Sequence, residues 1–233
     1  MLKGGSTVRM VKELVVMSIG PNNTNVTCDF WFHNDGTACT LQMGFPDEGN
    51  ANEEIQPGAQ PVSNFQYFKS YVDGVAVPTN LVQGQDEMGW HVKTVSFGGH
   101  ADVHVKDIYS ILDGSGIAVA GDLQGSCAWA SYIVHTGSSW KGPIGRCEID
   151  VTFDPQFAPQ SLTAVAAKTL SNSADGRTLT LSPGQFPAAG TIVYRGVATP
   201  TIHGRTLTFV RTAFQPTEAD DLNLWFDYHA MGK

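Results

Sequence analysis

The sequence predicts an all-β protein, an antiparallel β-sandwich of jelly-roll type. Three observations carry that reading. First, apolar and polar residues alternate one by one: Ala101, Val103 and Val105 point one way, and His100, Asp102, His104 and Lys106 the other. Second, short runs rich in Val, Ile, Thr, Phe, Tyr and Trp are punctuated by Gly, Pro, Asn and Asp, with Asp-Gly pairs at Asp35-Gly36, Asp73-Gly74 and Asp175-Gly176. Third, apolar residues at helical spacing are almost absent.

In chain order this pattern gives strands over 8–19, 26–33, 38–44, 64–72, 75–79, 90–97, 101–111, 116–121, 126–135, 146–153, 161–169, 177–182, 190–195, 205–213 and 221–229. Residues 1–20 form an N-terminal arm or strand, and 21–153 the sandwich. Residues 154–233 either complete that sandwich or form a second lobe, jointed near Asp113–Gly116. Asp35-Gly36 reads as a hairpin turn that sets Phe32 opposite Cys39 and Cys28 opposite Met43. The arm is too apolar to stay free. It must dock in its own sheet or on the open edge of a neighbouring copy.

Only 15% of the 233 residues are charged, and the net charge is -8. Phosphate binding needs clustered Lys and Arg, so nucleic acid is not an expected partner. No stretch approaches a membrane span, and Leu14 to Ile19 falls far short of one. Two sequons, at Asn22 and Asn25, mark glycosylation candidates and point outside the cell or to its surface. Met1–Thr7 lacks the apolar stretch of a signal peptide, so the chain reads as a near-mature exported protein, the alternative being a cytosolic one. The cysteines are Cys28, Cys39, Cys127 and Cys147. A Cys28–Cys39 bond is too long for the expected hairpin. Disulfides, if formed, would join the first hairpin to the later one; otherwise all four are buried free thiols.

Several phrases occur together: Cys28-Asp-Phe-Trp-Phe-His-Asn34, Met43-Gly-Phe-Pro46, Phe65-Gln-Tyr-Phe-Lys-Ser-Tyr-Val-Asp-Gly74 and Thr136-Gly-Ser-Ser-Trp-Lys-Gly-Pro-Ile-Gly145. Over residues 8–153 they resemble a family of secreted prokaryotic domains of unknown function. The resemblance implies an exported all-β fold and no catalytic residues.

Candidate chemistry is sparse. On a strand, His100, Asp102 and His104 would share one face, but no further metal ligand is identifiable; the plain reading is a wet strand face. Asp47, Glu48, Asn50, Asn52, Glu53 and Glu54 could offer oxygens to Ca²⁺, yet Gly49 comes too early for an EF-hand loop. Glu218, Asp220 and Asp221 form a smaller acidic cluster. Gly137 to Gly142 has the first spacing of a phosphate loop, but Pro143 stands where its Lys belongs. There is no Gly-x-Ser-x-Gly elbow, no His-Glu-x-x-His and no cofactor motif.

The expectation is therefore a non-enzymatic extracellular structural subunit. It would self-assemble into a filament or surface layer by donating residues 8–19, with Val8, Met10, Leu14 and Val16 setting register. On that reading, deleting residues 1–19 leaves a folded chain. A carbohydrate-binding or adhesive module built around Trp140 is the second reading. An enzyme of unrecognised type, with at least two ionisable groups converging in a cleft, is the third.

Overall fold

A computed structural model describes residues 7–47, 62–84, 89–120, 122–158, 161–167, 178–181 and 186–230. Among them there is no α-helix, and seventeen strands form three sheets. The large sheet runs β15 (Thr201–His203), β16 (Thr206–Phe214), β11 (Ile144–Phe153), β1 (Val8–Ile19), β2 (Asn23–Asn34), β8 (Asp102–Leu112), β4 (Phe65–Val72), β5 (Val75–Val77). A six-stranded sheet runs β12 (Thr163–Ala166), β14 (Thr191–Arg195), β17 (Leu222–Ala230), β10 (Leu123–Tyr132), β9 (Gly114–Ala120), β13 (Thr178–Thr180). The third is β3 (Cys39–Asp47), β7 (Gly89–Phe97), β6 (Asn80–Gln83).

The N-terminal run takes the first of its two options: it docks in its own sheet. β1 lies antiparallel to β2 and parallel to β11, so both of its edges are paired. Val8, Met10, Val15, Met17 and Ile19 are at most 4% exposed. Burial of such side chains is worth roughly 1.5–3 kcal/mol each. A bulge at Val11 interrupts the alternation, because the register with β2 slips between Met10 and Lys12. Even-numbered residues face the core before the bulge and odd-numbered ones after it. Leu14 and Val16 consequently point outward. Gly145 accommodates the bulge: a Cβ there would strike the Val11 carbonyl.

The Asp73-Gly74 hairpin forms as expected, with positive φ of 49° and 80° and Val72 opposite Val75. Asp35-Gly36 does not make a hairpin. β2 pairs with β1 and β8, whereas β3 crosses to another sheet and pairs with β7. Asn34 shapes that crossing, donating from Nδ2 to the carbonyls of Thr37 (2.8 Å) and Gly98 (2.9 Å) and accepting from the Gly36 N–H (3.0 Å). Local turn chemistry fitted either route. The Phe30, Phe32, Phe45 and Phe97 cluster favours the crossing, since it stacks β3 and β7 on the large sheet instead of extending it.

One hydrophobic core runs from Val8 to Phe226 between the large sheet and the two smaller ones. Phe153 meets Phe226 edge-on at 5.2 Å, and Tyr194 meets Phe209 at 5.6 Å. Asp113 is the point where the chain leaves the large sheet for β9. Among the later strands, β16 returns beside β11 in the large sheet and β17 lies inside the six-stranded sheet. A smaller apolar cluster around Trp225, Leu179, Val193, Ala118 and Cys127 lies on the other side of β17.

All four cysteines are free. β1 separates Cys28 from Cys147, with Val15 opposite Cys28 and Glu13 opposite Cys147. Two inter-strand spacings are roughly 10 Å, beyond the ~7 Å Cα limit of a disulfide.

Candidate functional site

The two smaller sheets cover one face of the eight-stranded sheet and leave its outer face open. Its register sets Tyr71, Lys106, Asp29, Leu14, Glu148 and Val210 in one row across six strands. The next row contains Ile108, Thr27, Val16 and Asp150. On the other side come His104, Trp31, Lys12 and Arg146. Trp31 stacks on His104 at 4.9 Å between ring centres, and the Lys12 ammonium lies 4.7 Å over the indole. Val16, Tyr67 and Val210 remain 36–42% exposed. In the middle of the face, Lys12, Lys106 and Arg146 match Asp29, Glu148 and Asp150, so charge there sums to zero in a molecule of net -8.

The expected metal constellation is dispersed. His100 sits in a turn with φ of 52°, before the strand begins. Asp102 lies 2.7 Å from His33 Nδ1, and His104 Nε2 lies 2.7 Å from Asp29. Cross-strand neighbours on β2 thus claim both groups. Among the described residues no cluster of three or more His, Cys, Asp or Glu could hold a metal ion.

Of the acidic loop, Glu48, Asn50, Asn52, Glu53 and Glu54 lie outside the described residues, as does Asp175-Gly176. Asp47 is described and buried. It accepts from Ser63 Oγ (2.6 Å) and Asn64 Nδ2 (3.1 Å) and lies 3.0 Å from His91 Nε2. Burial alone would push its carboxyl up, but the hydrogen bonds from His91, Ser63 and Asn64 outweigh that and hold it low. Ser63 Oγ is also 3.3 Å from His91 Nε2. Serine and carboxylate therefore meet the same ring nitrogen, and no proton relay can run through this imidazole.

Trp140 is 8% exposed and packs on Phe32 at 4.4 Å, so it anchors its loop and offers no ring to a sugar. The phrases that carried the family resemblance have structural roles too. Trp90 presses on Gly44, Phe45 and Ile144 are core, and Gly142 takes a φ of 67°. Asn22 and Asn25 are both exposed; Asn25 points from β2 onto the open sheet face.

Two polar clusters inside the sandwich escaped the sequence reading. Lys93 Nζ is 2.6 Å from each oxygen of Asp107, which also accepts from Ser70 Oγ, and both charged side chains are fully buried. Glu13 is 3% exposed. Its Oε1 accepts from Tyr132 at 2.8 Å, while its Oε2 makes no hydrogen bond. Burial pushes its carboxyl up to about 7, with Tyr132 and the weakly donating Cys147 thiol offsetting part of the rise. Burial likewise raises the Tyr132 hydroxyl and the Cys28 thiol.

A shallow depression of about 470 Å³ opens elsewhere, lined by His135, Ser138, Pro216, Thr217, Glu218 and Ala219. Beside it, Asp221 accepts from the N–H groups of Val134 (2.8 Å) and His135 (2.9 Å), and its second oxygen is 2.7 Å from His135 Nδ1. The neighbouring Asp220 closes a capping box with Thr217 and pairs with Arg211.

No family model matches the chain, and no curated protein does. Several solved structures are similar to it. A provisionally named nutrient binding protein from Legionella pneumophila superposes at a TM-score of 0.59 with 19% identity, over 95% of this chain and 67% of its own. Yeast LTA4 hydrolase bound to bestatin gives 0.44 and 8%, covering 94% of this chain and 28% of its own. An M1 zinc metallopeptidase from Deinococcus radiodurans gives 0.37 and 11%, covering 95% and 43%. The chain thus spans two thirds of the first and less than half of the other two. The first of these likenesses shows a shared fold alone.

Proposed function

We propose that the chain is an exported structural subunit that self-associates through the outer face of its large sheet. One observation carries this: the molecule is acidic overall, yet the middle of its open large-sheet face is neutral, with Leu14, Val16 and Val210 set among paired charges. A second copy meets no net repulsion there and covers aliphatic surface. Donation of residues 8–19 is not the route, because β1 already fills the middle of its own sheet. Deleting residues 1–19 is accordingly expected to unfold the chain, by exposing the edges of β2 and β11 and removing five core side chains.

Sedimentation of the full chain across a range of concentrations tests the reading. Wild type is expected to associate, Val16→Glu to stay monomeric, and Val75→Glu, at the far hairpin, to behave as wild type. A wild-type chain that is monomeric throughout, or a Val16→Glu variant that assembles normally, overturns it. A glycan on Asn25 would occupy this same face, so occupancy of that sequon and association through the face exclude each other.

A further inference from the structure

The depression beside Asp221 is built like a catalytic surface, independently of how copies associate. We propose that Ser138, His135 and Asp221 form an acyl-transfer site for small neutral esters.

The argument starts from local geometry. His135–Ser139 is a 3₁₀ turn, and with three residues per turn the side chains at i and i+3 eclipse. His135 and Ser138 therefore lie on one side of it, and both line the depression. Asp221 is 86 residues away in sequence, on the approach to β17. Its carboxylate is fixed by two backbone N–H groups and faces His135 Nδ1. A carboxylate at Nδ1 selects the tautomer with the proton there, which leaves Nε2 as the base. The buried His91 has the opposite wiring, with Ser63 and Asp47 both at Nε2.

Ser138 is exposed, and among the described residues its Oγ makes no hydrogen bond, so it is free to turn about χ1 toward the imidazole. Pro216 and Ala219 give the lining apolar atoms for an acyl methyl group, and Glu218, also in the lining, disfavours anionic substrates.

In the reaction, Ser138 Oγ bonds to the ester carbonyl carbon while Nε2 takes the hydroxyl proton. The carbon–oxygen bond to the alcohol then breaks, and that proton leaves with the alcohol. Water attacks the acyl-serine and gives a proton to Nε2. The proton returns to Ser138 Oγ as the carboxylic acid departs, and nothing but water is consumed. Ser138 and His135 are the catalytic residues; Asp221 is a positioning residue.

The test uses the full chain and p-nitrophenyl acetate. It follows p-nitrophenolate release against pH and locates the acetyl group by peptide mass spectrometry. Wild type is expected to carry acetyl on Ser138 and to lose rate as the imidazole is protonated. Ser138→Ala, an exposed change that leaves the fold intact, is expected to fall to the buffer rate, and His135→Gln to fall about 10²-fold or more. Acetyl found only on other residues, or a Ser138→Ala variant as fast as wild type, overturns the proposal. Val16→Glu is expected to keep the esterase rate, which separates this outcome from that of the assembly reading.

Discussion

Beneath the three-stranded sheet, Lys93 reaches both oxygens of Asp107 and Ser70 adds a third donor. Beneath the six-stranded sheet, Glu13 has one hydroxyl, from Tyr132, and an oxygen with nothing. Both clusters are buried in the same core, between the same large sheet and one of its two covers. The first is electrically closed: a carboxylate and an ammonium cancel, and every oxygen of Asp107 is bonded. In the second, burial raises the carboxyl to about 7, so it holds its proton at mildly acidic pH. The difference is that the first cluster balances its charge internally, whereas the second contains a carboxyl that burial has raised to about 7.

Breaking the closed half should produce the largest effect. Lys93→Met leaves the Asp107 carboxylate buried and unpaired, at an expected cost of about 3–5 kcal/mol by urea denaturation. Replacing both partners with apolar residues, as in Lys93→Met with Asp107→Leu, should recover most of that loss. A double variant no more stable than the single one would show that the pair also holds β7 and β8 in place through specific geometry.

The open half gives the next effect, and its sign is fixed. The Glu13 carboxyl sits at about 7 in the folded chain and at 4.5 ordinarily. Below pH 4.5 both states hold the proton. Between 4.5 and 7 the unfolded chain releases it first, so stability falls as pH rises. Above that window the loss is complete, at roughly 3 kcal/mol. Urea midpoints at pH 5 and pH 8 should therefore differ more for wild type than for Glu13→Gln, with the variant the more stable at pH 8. Equal pH dependence in the two proteins would mean that Glu13 ionises without penalty. The smallest effect belongs to Tyr132→Phe, which removes the one hydroxyl donor to Glu13 and leaves only the weak Cys147 thiol. It should cost about 1–2 kcal/mol and move the pH-dependent loss upward, because that hydroxyl favours the ionised form.

Much of this architecture could be read from the sequence, because strand formation leaves a local trace. β1 spans the expected residues, and β7, β8, β11, β16 and β17 lie within a few positions of theirs. β6 and β15, at four and three residues, are too short to produce a period. Which strand joins which sheet was not readable, since Asp35-Gly36 suits a hairpin and a crossing equally. The Val11 bulge was invisible for a related reason. Apolar residues occur in both phases around it, so a change of phase leaves no mark, and Leu14 and Val16 read as being in phase with Val8 and Met10. The dyad could not be found at all. His135 stands in a Gly-Ser turn and Asp221 in an acidic cluster, and only the folding of β10 against β17 brings them together. Asp47 misleads in the opposite direction: its sequence neighbours are acidic, but its spatial neighbours are Ser63, Asn64 and His91.

The single extra residue at Val11 also works as a frame shift written in three dimensions. Excise it, and the strand beyond would turn over: Lys12, Leu14, Val16 and Ser18 would be driven into the interior, while Glu13, Val15, Met17 and Ile19 would surface. The interior would exchange Val15, Met17, Ile19 and one carboxyl for Leu14, Val16, an ammonium and a hydroxyl, and the outer wall would lose Leu14 and Val16. Both the water-free side of this strand and its wet side are therefore composed by one insertion, held in place by the glycine opposite it.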